Sequence, residues 1–133
     1  MLRKFKNWFS KNEDGFELQS QLPENEEAKF ILKVDNINIG TLYCQNGEWF
    51  FKYTKDFKNH SQEYNRIIGF PDMDKTYQSD SLWPFFKIRI PGLKQPAIQE
   101  IIHNEKIDIS NEVALLKRFG YKSISNPYHL VMG

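Results

Sequence analysis

The chain has 133 residues, with 18 Lys plus Arg against 17 Asp plus Glu and a formal net charge of +1. That length suits one domain around one core, too short for a protein kinase, a TIM barrel or a dinucleotide-binding domain with a substrate domain attached. The charge balance gives no overall pull toward nucleic acid or an anionic membrane, whereas aromatic residues reach 15%, with 11 Phe, 6 Tyr and 3 Trp.

Charge is segregated at the front of the chain. Arg3, Lys4, Lys6 and Lys11 come first, then Glu13, Asp14, Glu17, Glu24, Glu26 and Glu27 with no basic residue among them. Leu2, Phe5 and Phe9, with Trp8 adjacent, have the spacing of a short amphipathic helix. A helix this short needs a support: the domain's own core, a partner, or a membrane surface, the last disfavoured by the acidic residues close behind. The expected division is therefore an N-terminal helix and acidic linker over 1–27 and a folded domain over 28–133. No apolar segment of a secretory signal follows the basic start, and no apolar run approaches the roughly 18 residues of a membrane span. With one cysteine, Cys44, these features predict a soluble protein of the reducing cytoplasm.

The clearest pattern comes next. Lys29–Val34, Ile39–Cys44 and Glu48–Tyr53 read as strands, separated by Asp35-Asn36-Ile37-Asn38 and by Gln45-Asn46-Gly47. Asn-Gly favours a type I′ turn because both residues tolerate positive φ. Together the three strands predict an antiparallel meander. Alternation puts Phe50 on one face of the last strand and Trp49, Phe51 and Tyr53 on the other.

Beyond Asp56 the chain is polar and irregular. Arg66–Phe70 is a candidate fourth strand stopped by Pro71, and Pro71 to Asp80 reads as loop. Ser81 is placed to cap a short helix with Pro84 near its start. Pro96 opens a helix with Ile98, Ile101 and Ile102 on one stripe. Ser110 is placed to cap a last helix, with Glu112 in its first turn, Val113, Leu116 and Phe119 facing inward, Lys117 and Arg118 in its last turn, and Gly120 just past its end. Strands first and helices afterwards imply an α+β fold, a small antiparallel sheet covered by C-terminal helices. Phe50, Phe85, Phe86 and Phe119 are the residues expected in the core, with part of the Trp49, Phe51 and Tyr53 face.

Catalytic chemistry is not legible. His60, His103 and His129 are dispersed, and no carboxylate stands at metal-ligand spacing from any of them. Cys44 lies in a strand, where a lone cysteine is a small hydrophobe. Asp72 and Asp74 lack the other oxygen ligands of a calcium loop. Phosphate-binding glycine motifs and the kinase set of strand Lys, catalytic-loop Asp and magnesium-binding Asp are absent. The expectation is a non-enzyme with no cofactor and no metal. A nucleic-acid platform on Trp49, Phe51 and Tyr53, near Lys55 and Lys58, is the weakest of the binding readings; ordinary core packing outweighs it.

A protein-interaction reading fits better. Pro84 biases Trp83 toward an extended backbone, and tryptophan is strongly enriched among binding hot spots. Trp83 either closes the domain's own core or stands at its rim as an anchor. On the second reading the partner-binding residues are Trp83, Ser81, Leu82 and Phe85, with the Asp72–Asp80 loop around them.

Four segments, in order, resemble the N-terminal subdomain of the HipA family of toxin kinases. Asn38-Ile39-Gly40-Thr41-Leu42 is similar to the family's "VGTL" strand, and Asn46-Gly47-Glu48-Trp49-Phe50-Phe51-Lys52-Tyr53 to the strand that follows it. Pro84-Phe85-Phe86 with Ile90-Pro91-Gly92 resembles the "FF..LLPEG" segment, without its acidic residue. Leu115-Leu116-Lys117-Arg118-Phe119-Gly120 resembles the "LL.RFG" helix end. The likeness spans Phe30 to Gly120; the kinase domain that follows in HipA has no counterpart. The resemblance implies a stand-alone subdomain of the HipS kind, an antitoxin that binds and inhibits a HipT-like Ser/Thr kinase, with a HipB-like DNA-binding protein in the same complex. A scaffold that completes such a complex without inhibiting is the alternative.

Overall fold

The computed structural model describes residues 21–133; the expected helix at Leu2–Phe9 and the first part of the acidic linker lie outside them. Five antiparallel strands form one sheet in the order β4-β3-β2-β1-β5. They are β1 (Ala28–Val34), β2 (Ile37–Gln45), β3 (Glu48–Tyr53), β4 (Tyr77–Ser79) and β5 (His129–Met132). Among the described residues four helices accompany them: α1 (Lys55–Asn59), α2 (Pro84–Lys87), α3 (Pro96–Glu105) and α4 (Glu112–Phe119). The architecture is the α+β class expected, with the meander β1-β2-β3 at its centre.

Both meander turns use residues that accept positive φ. Asp35 has φ 53° between β1 and β2, and Asn46 and Gly47 have φ 53° and 76° between β2 and β3, as a type I′ turn requires. Register then follows from alternation. Phe30, Leu42 and Phe51 align across β1, β2 and β3, and Cys44 faces Trp49 one step along. The register shifts between Leu32 and Lys33, the bulge that lets Ile39 join the core beside Gly40.

One face of the sheet carries the core. Phe30, Leu32, Leu42, Cys44, Trp49, Phe51 and Tyr53 are buried there, covered by Phe57 of α1, Phe86 of α2, and Val113 and Leu116 of α4. Burying an aromatic ring of this kind contributes about 3–5 kcal/mol against truncation to alanine. Phe50 is on the opposite face, half-buried and stacked on Tyr43 at 5.0 Å between ring centroids. Its place in the core was expected and is overturned by the parity of the strand. Phe85 and Phe119 are likewise only half-buried, whereas Phe86 is fully enclosed.

Three elements differ from expectation. Arg66–Phe70 is a turn, not a strand: Phe70 N–H bonds the Ile67 carbonyl at 2.9 Å, and the apolar pair at i and i+3 drives both ends inward. The fourth strand is instead Tyr77–Ser79, in the stretch read as loop, paired with β3 through Tyr77↔Phe51 and Ser79↔Trp49. The fifth, His129–Met132, adds to β1; Leu130 N–H turns away from β1 to the Tyr121 carbonyl at 3.0 Å, which blunts that edge. Helix starts differ as well: α1 lies in the stretch read as irregular, α2 has Trp83 rather than Ser81 at its N-cap, and α4 is capped one residue later than expected. Thr54 caps α1 and Asn111 caps α4, its Oδ1 accepting from Val113 N and Ala114 N. Ser110 caps neither; its hydroxyl bonds Asp108.

The approach to β1 is pinned rather than loose. Gln21 N–H bonds the Ser110 carbonyl and Glu112 N–H bonds the Gln21 carbonyl, both at 2.8 Å. Leu22 packs against the core cluster. Among the described residues, packing against the domain extends back from Ala28 to Gln21.

Candidate protein-interaction site

The region around Trp83 is built outward from β3. Tyr53 sits on the buried face, so its hydroxyl must find partners inside. It donates to the Phe70 carbonyl at 2.6 Å and accepts from Ile67 N–H at 2.9 Å. Burial pushes the Tyr53 phenol up to about 12, above the ordinary tyrosine value, so it stays neutral and keeps both bonds. The clamp seats Phe70 against Phe51 at 4.6 Å and Phe86 at 6.1 Å between ring centroids.

Phe70 in turn supports Trp83. The two rings meet edge-on at 5.1 Å and 76°, and Tyr77 meets Phe70 from another side at 4.9 Å. Trp83 is the N-cap of α2, extended at φ −66° and ψ 149°, with Pro84 at the first helical position. Its carbonyl accepts from both Phe86 N–H and Lys87 N–H at 3.0 Å. Trp83 is half-buried: it packs against the aromatic cluster and part of its surface stays exposed.

The other expected site residues divide. Ser81 is exposed, with its N–H on Ser79 Oγ at 3.0 Å and its hydroxyl turned to Asp80. Leu82 is in the core at 3% exposure, so its side chain supports the loop from below and offers no surface. Phe85 is half-buried, edge-on to Phe86 at 5.1 Å and near Tyr128 at 5.9 Å. The Arg89 guanidinium lies over the Phe85 ring at 5.6 Å.

Arg89 was not singled out from the sequence, yet it ties this region to the chain's end. It is buried at 4% exposure and bonds the Gly120 carbonyl and Asn126 Oδ1, each at 3.1 Å. Among the described residues no carboxylate pairs with it, and burial lowers its pKa to about 10, which leaves it charged at neutral pH. Carbonyl dipoles and the Phe85 ring face take the place of an ion-pair partner. Tyr53 and Phe70 were missed as well; the available signal was a tyrosine on the buried parity of β3, whose polar tip required an acceptor.

Chemically, the described residues of this region offer a partly exposed aromatic contact surface. Among the described residues no group of three or more His, Cys, Asp or Glu is placed to hold a metal. Cys44 is buried, and desolvation pushes its thiol up to about 11, the reverse of a reactive cysteine. Trp49, Phe51 and Tyr53 are all inside, at 0%, 0% and 5% exposure, which overturns the nucleic-acid platform on those rings. No described helix is long and apolar enough to cross a membrane.

Comparison with known proteins gives one family. The family model for the HipA N-terminal domain matches residues 31–124, from the middle of β1 to the loop beyond α4. Searches of curated proteins and of solved structures give no match.

Proposed function

This chain belongs to the HipA N-terminal domain family, and from that premise we propose that it is a cytoplasmic antitoxin that binds a HipT-like Ser/Thr kinase and holds it inactive. Its contact surface centres on Trp83, bordered by Ser81 and Phe85. A HipB-like DNA-binding protein joins the same assembly through the kinase. The observation that carries the reading is the seating of Trp83, edge-on to Phe70 at 5.1 Å with part of its surface left open to solvent. An aromatic side chain already fixed in place loses little conformational entropy on binding, which is the condition for a hot spot. The family match supports the partner class, and a binding role is consistent with a sequence in which no kinase catalytic set is legible.

Growth rescue during co-expression with the kinase tests this. Wild-type chain restores growth; a scaffold without inhibitory action leaves toxicity unchanged. Trp83→Ala is expected to lose rescue and about 2–4 kcal/mol of binding, roughly 30- to 1,000-fold in affinity. Because Trp83 also closes the cluster at Phe70, Trp83→Phe serves beside it: a smaller ring keeps the Phe70 contact while losing most of the exposed indole. If both variants are folded and neutralise the kinase at equal dose, Trp83 is not the anchor.

A further inference from the structure

We infer that Ile68 is a second anchor of the interface proposed for Trp83, entering an apolar pocket on the same kinase partner; the inference rests on that reading of the site. Ile68 is 92% exposed. A lone exposed isoleucine is ordinary on a protein surface. What sets this one apart is how firmly it is held. The turn that carries it has both ends in the core, with Ile67 at 3% and Phe70 at 0% exposure. Phe70 N–H bonds the Ile67 carbonyl at 2.9 Å, and the buried Tyr53 hydroxyl bonds both Ile67 N–H and the Phe70 carbonyl. Gly69, at φ +98°, reverses the chain behind the tip.

Loop tips are ordinarily polar and variable in conformation. Here a β-branched side chain, itself stiff at χ1, projects from a turn clamped at three hydrogen bonds. Such presentation lowers the entropy lost when the side chain enters a pocket. The same residue, Phe70, mounts both anchors: its ring supports Trp83 at 5.1 Å, and its backbone closes the turn under Ile68. A third apolar side chain, Ile88, is 62% exposed at the end of α2, with its N–H on the Pro84 carbonyl. Charges nearby are mixed, with Arg66 and Lys75 among Glu63, Asp72 and Asp74, so no cationic field favours a nucleic acid. A protein surface with an apolar pocket is the occupant that this knob fits.

Calorimetric titration of the HipT-like kinase with the full chain tests the inference, using wild type, Ile68→Ser, Trp83→Phe and Ile124→Ser. Ile124, also fully exposed but on the loop after α4, is the control for loss of an exposed isoleucine as such. Ile68→Ser is expected to leave the melting temperature unchanged and to weaken binding by at least about tenfold, with Ile124→Ser within about twofold of wild type. If Ile68→Ser binds like wild type while Trp83→Phe is weakened, Ile68 is no anchor and the Trp83 reading stands. If Ile124→Ser weakens binding as much as Ile68→Ser, the effect is not specific to the clamped turn and the inference fails. If wild type does not bind the kinase at all, the proposed function and this inference both fall.

Discussion

The indole Nε1 of Trp49 donates a hydrogen bond to Glu112 Oε1 at 2.8 Å, joining the middle of the sheet to the first turn of α4 inside the core. Both side chains are enclosed, at 0% and 3% exposure. The bond satisfies an indole N–H that has no water to turn to, and it places a carboxyl group where ionisation is unfavourable. Burial pushes the Glu112 carboxyl above the ordinary glutamate value, opposed by the Trp49 bond and by Lys87.

The sign of the resulting pH dependence is fixed by that shift. A carboxyl whose folded pKa is raised contributes most below its unfolded pKa, and the contribution is lost as pH rises through the folded value. Urea unfolding of wild type and Glu112→Gln across mildly acidic to neutral pH isolates this group. Gln keeps an oxygen for the indole but does not ionise. Wild type is expected to lose stability relative to Glu112→Gln as pH rises, and parallel curves defeat the prediction. Glu112→Ala, which orphans the indole N–H, is expected to cost about 1–3 kcal/mol at mildly acidic pH, and less as pH rises.

Tyr53→Phe removes one hydroxyl and leaves two buried backbone groups, Ile67 N–H and the Phe70 carbonyl, without that partner. The expected loss is about 1–3 kcal/mol, read from chemical denaturation. Hydrogen exchange localises the effect: the Ile67 amide is expected to lose protection more than amides of the β1–β2 ladder. Uniform loss of protection across the sheet contradicts a local clamp.

Gly40→Ala tests the closest approach in the sheet. A Cβ at position 40 would clash with Cζ and Cε1 at the edge of the Phe51 ring. That ring is hemmed in by Phe70 at 4.6 Å and Phe86 at 5.5 Å, so it has little room to retreat. Overpacking of this kind costs about 1–3 kcal/mol. Thermal unfolding of Gly40→Ala is expected to show a lowered midpoint, and a midpoint equal to wild type refutes the close contact.

The central meander was legible because its signals are local. Alternation from Ala28 to Tyr53 and the Asn46-Gly47 turn specify strand pairing between neighbours in sequence, and α4 announced itself through its Val113 and Leu116 stripe. The two outer strands carried no such signal. Tyr77–Ser79 has one large apolar residue, and His129–Met132 has four residues in all; each is a strand because an existing edge accepts it. Arg66–Phe70 misled for the opposite reason, since a run of apolar residues was fixed by a hydroxyl from a distant strand. At the candidate site, Pro84 correctly predicted the extended backbone of Trp83. The burial of Leu82 and the support from Phe70 depend on tertiary contacts that sequence spacing does not encode.

Cys44 Sγ–H points at the Glu26 carbonyl, 3.8 Å away, from the buried face of β2, with its thiol pushed up to about 11. As the chain's single cysteine, it makes the folded protein a nearly blank background for thiol chemistry. A cysteine introduced at solvent-facing Asp80 or Ser81 therefore accepts a maleimide fluorophore or a nitroxide without first deleting the native sulfur. A reporter can then stand within three residues of Trp83 while the core remains wild type.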